Sequence, residues 1–261
     1  MSEDVLWLLK TNKVVDSVKQ GKRLDNRKFD EYRKIEVVKD VSQNAEGSAR
    51  VKFGETEVIA GVKFVLGKPY PDSPDSGSMG VNAEMIPIAS PEFETGFPSG
   101  EAIELSRVVD RGIRNSGTLD FKKFCITEGE LAYIAFIDIY TINFDGNLFD
   151  ACSLAAVNAL NDCKIPKVED EQIVKGEYAG KLKLKSLPVL TTFAKIGDKI
   201  LFDTDLAEEK ALNARFSIAS IEKDIITGTQ KGGKSGFNFK ELSQAIETSM
   251  VKAKELRKYY K

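Results

Sequence analysis

The chain has 261 residues, a formal net charge of −2 and no histidine. The near balance of charge excludes a protein that binds nucleic acid through its overall charge, so a polyanion site has to be a local basic patch or be shared with a partner. The absence of histidine excludes Ser-His and Cys-His catalysis, and histidine-bearing zinc sites, within this chain.

The N-terminus and the cysteines predict a cytoplasmic protein. The first ten residues are acidic, then apolar, then charged again, which is typical of neither a signal peptide nor a transit peptide. No apolar run approaches the roughly 18 residues of a membrane span, so no membrane partner is expected. The three cysteines are odd in number and lack metal-ligand spacing, which favours buried thiols in a reducing compartment.

The predicted elements begin with an amphipathic helix at residues 4–20, which has Val5, Leu8, Leu9 and Val15 on its apolar side. Polar–apolar alternation and β-branched runs then predict strands, and alanine and leucine predict a buried helix. The expected order is strands at 34–38, 48–53 and 57–64, a loop at 66–80, a strand at 81–89, a loop at 90–100, a helix at 101–116, a central strand at 132–143 and a helix at 148–163.

The second part of the chain repeats this order of strands and helix. Strands are expected at 187–194, 199–202 and 214–222, and a Gly197-Asp198 turn joins the first two as a hairpin. A terminal helix is expected at 239–259. Its predicted inner face holds Phe239, Leu242, Ile246, Met250, Ala253 and Leu256. Strands followed by a helix, twice over, predict an α+β fold with helices packed on sheets.

The most informative segment lies within the predicted helix at 101–116. Arg107, Arg111 and Arg114 recur at i, i+4 and i+7, so the helix places three guanidinium groups on one face. A fixed row of guanidiniums suits a polyanion such as RNA or DNA phosphate. The opposite face is predicted to pack on the core, and it holds Leu105, Val108, Val109 and Gly112.

A solvated helix surface explains the same arginines without any ligand. Asp110 can pair with Arg114 at i+4, and Glu104 can reach Arg107 at i+3. On spacing alone this second interpretation is favoured.

The segment Gly228 to Ser235 satisfies the phosphate-loop pattern G-x-x-x-x-G-K-S, but we interpret it as a glycine–lysine turn. Only residues 236–261 follow it, whereas a nucleotide fold needs further parallel strands and a metal-binding aspartate. Asn238 is also the better N-cap for the helix that follows.

Six groups of residues, in the same order along the chain, resemble the RNase PH family. The resemblance covers roughly residues 20–260 and is greatest to the non-catalytic RNase PH-like subunits of archaeal exosomes. The matching segments are 23–27 with Tyr32-Arg33, 47–51 with 54–58, 69–75, 81–91, 103–114 and 145–151.

The resemblance implies an α+β RNase PH fold, in which two related ribosomal-S5-domain-2-like βα halves carry helices packed on mixed sheets. We expect an N-terminal helix at 1–20, a first half at 21–165, and a second half with the C-terminal helix at 185–261. The resemblance also implies the partners. These are a catalytic RNase PH-like exosome subunit in a hetero-hexamer of three plus three, an RNA-binding cap subunit and single-stranded RNA, which the ring trims from the 3′ end by phosphorolysis.

One segment predicts that this chain is not itself catalytic. Active family members have a Gly-Gly-Thr-Arg-like or Gly-Gly-Ser-Arg-like turn at a helix start, where this chain has Gly146-Asn147-Leu148-Phe149-Asp150. The hydroxyl is replaced by Leu148 and the cation by Phe149. Asp150 is expected to repel phosphate by roughly 4 kcal/mol at about 4 Å.

A second segment supports the same prediction. Active members end an acidic segment with an Ala-Asp step, where this chain has Ala214-Arg215, so a cation replaces a carboxylate. Asn213 stands where the non-catalytic relatives usually have aspartate. The acidic segment itself, residues 203–209, is interpreted as a solvated turn between strands. No catalytic residue, metal site or cofactor is therefore expected.

The arginine row is kept, and the resemblance implies that it contacts RNA beside the active site of the neighbouring catalytic subunit. By position, Arg107 and Arg111 are the main RNA-binding candidates, and Arg114 is a third that pairing with Asp110 would weaken. Lys68 is added on its charge alone. Two alternatives to a structural RNA-binding subunit are an active phosphorolytic 3′–5′ exoribonuclease and a free-standing RNA-binding module.

Overall fold

The computed structural model describes residues 3–260. The α-helices of this part of the chain are α1 (Glu3–Lys19), α2 (Gly100–Arg114), α3 (Leu148–Asp162), α4 (Leu206–Ala211) and α5 (Phe239–Leu256). The strands are β1 (Ile35–Lys39), β2 (Gly47–Phe53), β3 (Thr56–Gly67), β4 (Ser78–Met85), β5 (Cys125–Thr127), β6 (Leu131–Asn143), β7 (Lys164–Glu169), β8 (Gln172–Lys181), β9 (Val189–Ile196), β10 (Lys199–Phe202), β11 (Ala214–Ile221) and β12 (Ile225–Gly233). Short 3-10 helices lie at Phe121–Phe124, Glu222–Asp224 and Arg257–Tyr260. None of the described helices has the length and apolar character needed to cross a membrane.

The first sheet is mixed, as the family resemblance implies. Its strand order is β1-β2-β3-β6-β4, and β5 adds a short pairing with β6. β4 runs parallel to β6, whereas the other pairs are antiparallel. The predicted central strand is confirmed, because β6 lies between β3 and β4.

The second sheet is antiparallel, with the order β10-β9-β11-β12. The predicted hairpin is confirmed, since the Gly197-Asp198 turn brings Ile196 opposite Lys199. On one face of this sheet, Ala245 of α5 clusters with Phe193 and Ile218. A separate two-stranded hairpin, β7-β8, lies between the two sheets in the chain.

The helix α3 lies between the two sheets and is buried on all sides. Every residue from Leu148 to Leu160 is buried, and the helix packs against β2 and β3 of the first sheet and β9 of the second. A helix that is apolar around its whole circumference is suited to such a position. The start of α3 therefore lies close to the second sheet, which brings the two halves together at the candidate site.

The predicted apolar side of the first helix is mostly wrong, because of its four residues only Val15 packs, and partly, against the buried cluster of this helix. Val5, Leu8 and Leu9 are 41–61% exposed, whereas Val14 and Val18 are 1% exposed and cluster with residues of the second sheet. The second half of α1 is therefore its packed part. The hydrophobic periodicity predicted a helix but not the part of the helix that packs, because that packing depends on contacts with α4 and the second sheet.

The predicted inner face of the last helix is also partly wrong. Ala253 and Leu256 are buried as expected, but Phe239 is 86% exposed and Ile246 is 37% exposed. The buried positions of α5 instead include small residues such as Ala245 and Ser249, which let the helix lie close to the sheet. The Ser249 hydroxyl shares a 2.6 Å hydrogen bond with Thr191 Oγ1 of β9.

Several strand boundaries differ from the predictions because pairing decides them. β4 begins at Ser78, inside the predicted loop at 66–80, since it pairs with β6 from Ile134 onward. Most of the glycine–lysine segment that satisfied the phosphate-loop pattern is the edge strand β12, which pairs with β11 as far as Gly233. The predicted turn is limited to a bend at Lys234 and Ser235. The elements β5, β7, β8 and α4 were not predicted.

Candidate functional site

The arginine row lies on the solvent face of α2. Ser99 caps the helix, because its hydroxyl accepts a hydrogen bond from Ala102 N at 3.2 Å. The predicted core face is confirmed for Leu105, Val108 and Val109, which are at most 5% exposed. Because those residues fix the rotation of the helix, the guanidiniums point outward; the three exposed arginines are Arg107, Arg111 and Arg114.

The three arginines differ in their contacts. Arg114 makes two hydrogen bonds to the Asp110 carboxylate, at 2.8 and 3.0 Å, as the spacing predicted. Arg111 Nη2 donates to the neutral side-chain oxygen of Gln230 at 2.9 Å. Arg107 has no side-chain partner among residues 3–260, so its expected pair with Glu104 is not formed. Two of the three positive charges are therefore not neutralised by a contact.

The glutamate expected to pair with Arg107 faces the opposite way. Glu104 accepts from Arg215 Nη2 at 2.9 Å and from Gln230 Nε2 at 2.9 Å. It thus belongs to a cavity of about 520 Å³ between α2 and the start of α3. Charged residues that line this cavity are Glu92, Glu101, Glu104, Glu209, Lys210 and Arg215.

The start of α3 is a left-handed turn packed against the second half of the chain. Gly146 has φ +82°, and a Cβ there would lie 2.4 Å from the carbonyl oxygen of Thr204, so only glycine fits. Asn147, the N-cap, has φ 52°. Its backbone N–H donates to Glu209 Oε2 at 2.6 Å. A carboxylate of the protein itself therefore occupies the place where the N-terminus of a helix would hold an external anion.

The side chain of Phe149 lies beside Arg215 in this cavity. The guanidinium carbon of Arg215 lies 3.9 Å from the centre of the Phe149 ring, a cation–π contact. Phe149 is 6% exposed, so the arginine covers it. The two departures from the active pattern, Phe149 and Arg215, are therefore in contact with each other.

Asp150 does not have the role that the sequence predicted. It is 1% exposed and points into the core, where its Oδ2 accepts from Thr192 N at 3.1 Å and from Asn147 Nδ2 at 3.2 Å. Burial raises the pKa of Asp150 to about 7, despite these hydrogen bonds. A buried and partly protonated group cannot be the main source of repulsion for a phosphate in the cavity. Glu209 lines the cavity, and although burial raises its pKa as well, the Asn147 N–H, Arg215 and Arg33 favour its ionised form, so it is the carboxylate that opposes an anion there.

The interpretation of residues 203–209 as a solvated turn is also wrong. Asp203 and Glu208 are each 1% exposed, and the segment contains the short helix α4, whose N-cap Asp205 forms a capping box with Glu208. Burial opposes ionisation of Asp203, but its hydrogen bonds from Arg33 prevail and lower its pKa.

Arginines near the N-terminus pair with these acids. They lie in the first of the segments that resemble the RNase PH family. Arg33 pairs with Asp203 at 2.8 Å, and Arg23 makes two bonds to Glu208 at 2.5 and 2.8 Å. Arg27 also reaches Asp203, at 3.1 Å. This buried ion-pair network holds the connector after α1 against the acidic segment, and so keeps Glu209 near Asn147. Among residues 3–260, no group of three or more acidic or cysteine side chains is arranged to hold a metal.

Two features of this site could not be read from the sequence. Glu209 was seen only as part of an acidic run, and Gln230 lies in a glycine-rich segment with no signal of its own. The sequence feature that could have predicted the ion-pair network is the opposite charge of the arginines at 23–33 and the acids at 203–209.

Comparison with known families gives two matches in chain order. Residues 31–166 match domain 1 of the 3′ exoribonuclease family (RNase PH), and residues 186–252 match domain 2. The relatives include the exosome complex component Rrp42 of Thermococcus gammatolerans, which is 45% identical over 251 residues, covering 95% of this chain and 92% of that protein. The protein of the same name from Methanosarcina acetivorans is 45% identical over 260 residues, covering 100% of this chain and 96% of that protein.

Solved structures agree with these matches. A chain of the Archaeoglobus fulgidus exosome with RNA bound to the active site has a TM-score of 0.93 at 41% identity, covering 98% of this chain and 100% of that one. A chain of an archaeal exosome core has a TM-score of 0.89 at 38% identity, covering 100% of this chain and 99% of that one. The expected fold is thereby confirmed. The chain belongs to the 3′ exoribonuclease (RNase PH) family.

Proposed function

We propose that this chain is a structural, non-catalytic subunit of an exosome ring that degrades RNA from the 3′ end by phosphorolysis. It alternates with a catalytic RNase PH-like subunit, three of each, and a cap subunit binds the ring. The names of its relatives support this assignment, because they are exosome components similar to this chain over almost their whole length. We also propose that the protein is cytoplasmic. The proposed division of the chain is an N-terminal helix at 1–20, a first half at 21–165 and a second half at 185–261, of which residues 1, 2 and 261 lie outside the described part.

The observation that carries the proposal is the Glu209 carboxylate on Asn147 N. Phosphorolysis requires an inorganic phosphate held by backbone N–H groups and cations. Here the N–H is already paired with an anion. Two like charges about 4 Å apart repel by roughly 4 kcal/mol at an effective dielectric near 20, which corresponds to about a thousandfold loss of phosphate affinity. The one arginine in the cavity, Arg215, is paired with Glu104 and covered by Phe149.

The arginine row supplies the RNA contact in this proposal. Arg107 and Arg111 keep exposed charges that no carboxylate among residues 3–260 neutralises, so each can release a counterion when it binds a phosphate of single-stranded RNA. Arg114 is already paired with Asp110. We therefore assign Arg114 a weaker RNA contact than the other two.

The test is reconstitution. The pure chain, incubated with single-stranded RNA and inorganic phosphate, is expected to release no nucleoside diphosphate, because it cannot bind the attacking phosphate. Co-assembly with the catalytic partner is expected to give activity that exceeds that of the partner alone. Nucleoside diphosphate from the pure chain would contradict the proposal and show an active exoribonuclease. A pure chain that binds RNA but forms no complex with the partner would instead indicate a free-standing RNA-binding module.

A further inference from the structure

We propose that Gln230 is a positioning residue for RNA. Its side-chain amide holds the Arg111 guanidinium in a fixed direction and leaves the positive charge available. This inference rests on the proposed function, because it concerns how the arginine row is presented to a phosphate.

A continuous series of polar contacts leads from the cavity to the arginine row. Arg215, which lies on Phe149, binds Glu104 Oε2 at 2.9 Å. Glu104 Oε1 accepts from Gln230 Nε2 at 2.9 Å. Gln230 Oε1 accepts from Arg111 Nη2 at 2.9 Å. The cavity that cannot bind phosphate thus anchors the residue that orients Arg111.

The chemistry of the three groups requires an amide between them. A guanidinium only donates hydrogen bonds and a carboxylate only accepts them, whereas a glutamine amide does both. Turning the amide of Gln230 by 180° would place donor against donor at Arg111 and acceptor against acceptor at Glu104. The amide therefore has one favourable orientation, and it directs its oxygen at Arg111.

The same contacts explain why the charge of Arg111 is preserved. Glu104 and Arg111 form no direct ion pair among residues 3–260, because the Gln230 amide lies between the carboxylate and the guanidinium. Glu104 is also committed to Arg215. Arg111 is consequently held by a neutral group, whereas Arg114 is held by the charged Asp110.

Holding a cation without neutralising it favours binding of a phosphate. A flexible arginine loses side-chain entropy when it is fixed by a ligand, and a residue that is already fixed loses less. Arg111 also donates from Nε to the carbonyl oxygen of Arg107 at 3.3 Å. Two contacts thus fix its head group, while the side chain of Arg107 remains without a polar partner among residues 3–260.

Titration of single-stranded RNA into the assembled ring tests the inference. Gln230→Ala is expected to weaken binding about two- to tenfold, the range for fixing one flexible side chain, with an unchanged salt slope because the charge of Arg111 remains. Gln230→Glu is expected to weaken binding further and to lower the salt slope by about 0.7, since a carboxylate would neutralise one phosphate-binding cation. Gln244→Ala, an exposed glutamine of α5, is the matched control and is expected to bind like the native ring.

A double-mutant cycle separates the inference from the function on which it rests. Gln230→Ala is expected to have no further effect in an Arg111→Ala background. An equal loss in both backgrounds would overturn the positioning role, because the glutamine would then act independently of Arg111. The positioning role would also be overturned if Arg111→Ala weakened RNA binding by the ring but Gln230→Ala left it at the native affinity. If Arg111→Ala itself binds RNA normally, the proposed RNA contact fails and the positioning role fails with it.

Discussion

Charge reversal of Arg107 and Arg111 to glutamate is expected to weaken binding of single-stranded RNA by the assembled ring on the order of a hundredfold at low salt. Each change removes a cation that no carboxylate in the described part of the chain neutralises, and it places an anion beside the RNA backbone. Loss of two phosphate contacts is also expected to lower the slope of log affinity against log salt by about 1.4, since each contact with a single strand contributes about 0.7. Affinity measured at several salt concentrations gives both quantities.

A control of equal charge distinguishes this local effect from a change in overall charge. Lys175→Glu with Lys183→Glu alters the net charge by the same amount, at exposed positions in β8 and just after it whose side chains make no hydrogen bond or ion pair among residues 3–260. This variant is expected to lose little affinity. Equal losses for the two variants would mean that the arginine row has no special role.

Replacement of Arg23 by methionine is expected to lower the free energy of unfolding by about 3–5 kcal/mol, the usual cost of leaving a buried charge without its partner. The Arg23 and Glu208 side chains are 0% and 2% exposed, so water cannot replace the missing guanidinium. Burial already raises the pKa of Glu208 against the influence of Arg23. Without the arginine the carboxyl would bind a proton more readily, so the loss of stability is expected to be smaller at low pH than at high pH. Denaturant unfolding at two pH values measures it.

Two further variants locate the cause of that loss. Arg50→Met removes an arginine that is 42% exposed and lies 3.7 Å from Glu57, and it is expected to cost less than about 1 kcal/mol. The double variant Arg23→Met with Glu208→Gln removes both charges, keeps an acceptor for Asp205 N in the capping box, and is expected to recover much of the stability. If the double variant were as unstable as Arg23→Met alone, the ion pair would not be the cause.

Local sequence patterns were sufficient to predict elements in which the buried residues recur at the period of the helix or strand itself. The helix α2 is the best example, because its apolar residues Leu105, Val108 and Val109 recur at helical spacing and are all buried. The Asp110–Arg114 pair was predicted from spacing for the same reason, since both residues belong to one helix. The RNase PH fold followed from the order of the family motifs.

Local patterns could not predict features that depend on contacts between segments far apart in the chain. Glu104 was expected to pair with Arg107 on its own helix, but it pairs with Arg215, which lies more than a hundred residues later in the chain. Asp150 was judged by its place in a helix, whereas its environment is set by Thr192 of the second sheet. In the sequence, Glu209 is only one of several neighbouring acidic residues, and its hydrogen bond with Asn147 N is evident only in the folded structure.

The prediction that this chain lacks the phosphate site thus had a partly wrong reason. The substitutions at Leu148 and Phe149 do remove the hydroxyl and the cation of the active pattern. The opposing charge, however, comes from Glu209 and not from Asp150, because of these two carboxylates Glu209 lines the cavity and Asp150 does not. A carboxylate that already binds the N–H of Asn147, the N-cap of α3, is the stronger obstacle.

Crystals of the assembled ring soaked in inorganic phosphate test this central claim most directly, since the catalytic subunit in the same crystal serves as an internal control. We expect density for phosphate in the catalytic subunit, and Glu209 of this chain still bonded to Asn147 N. Phosphate bound to Asn147 N beside Phe149, with the Glu209 side chain displaced, would contradict the account.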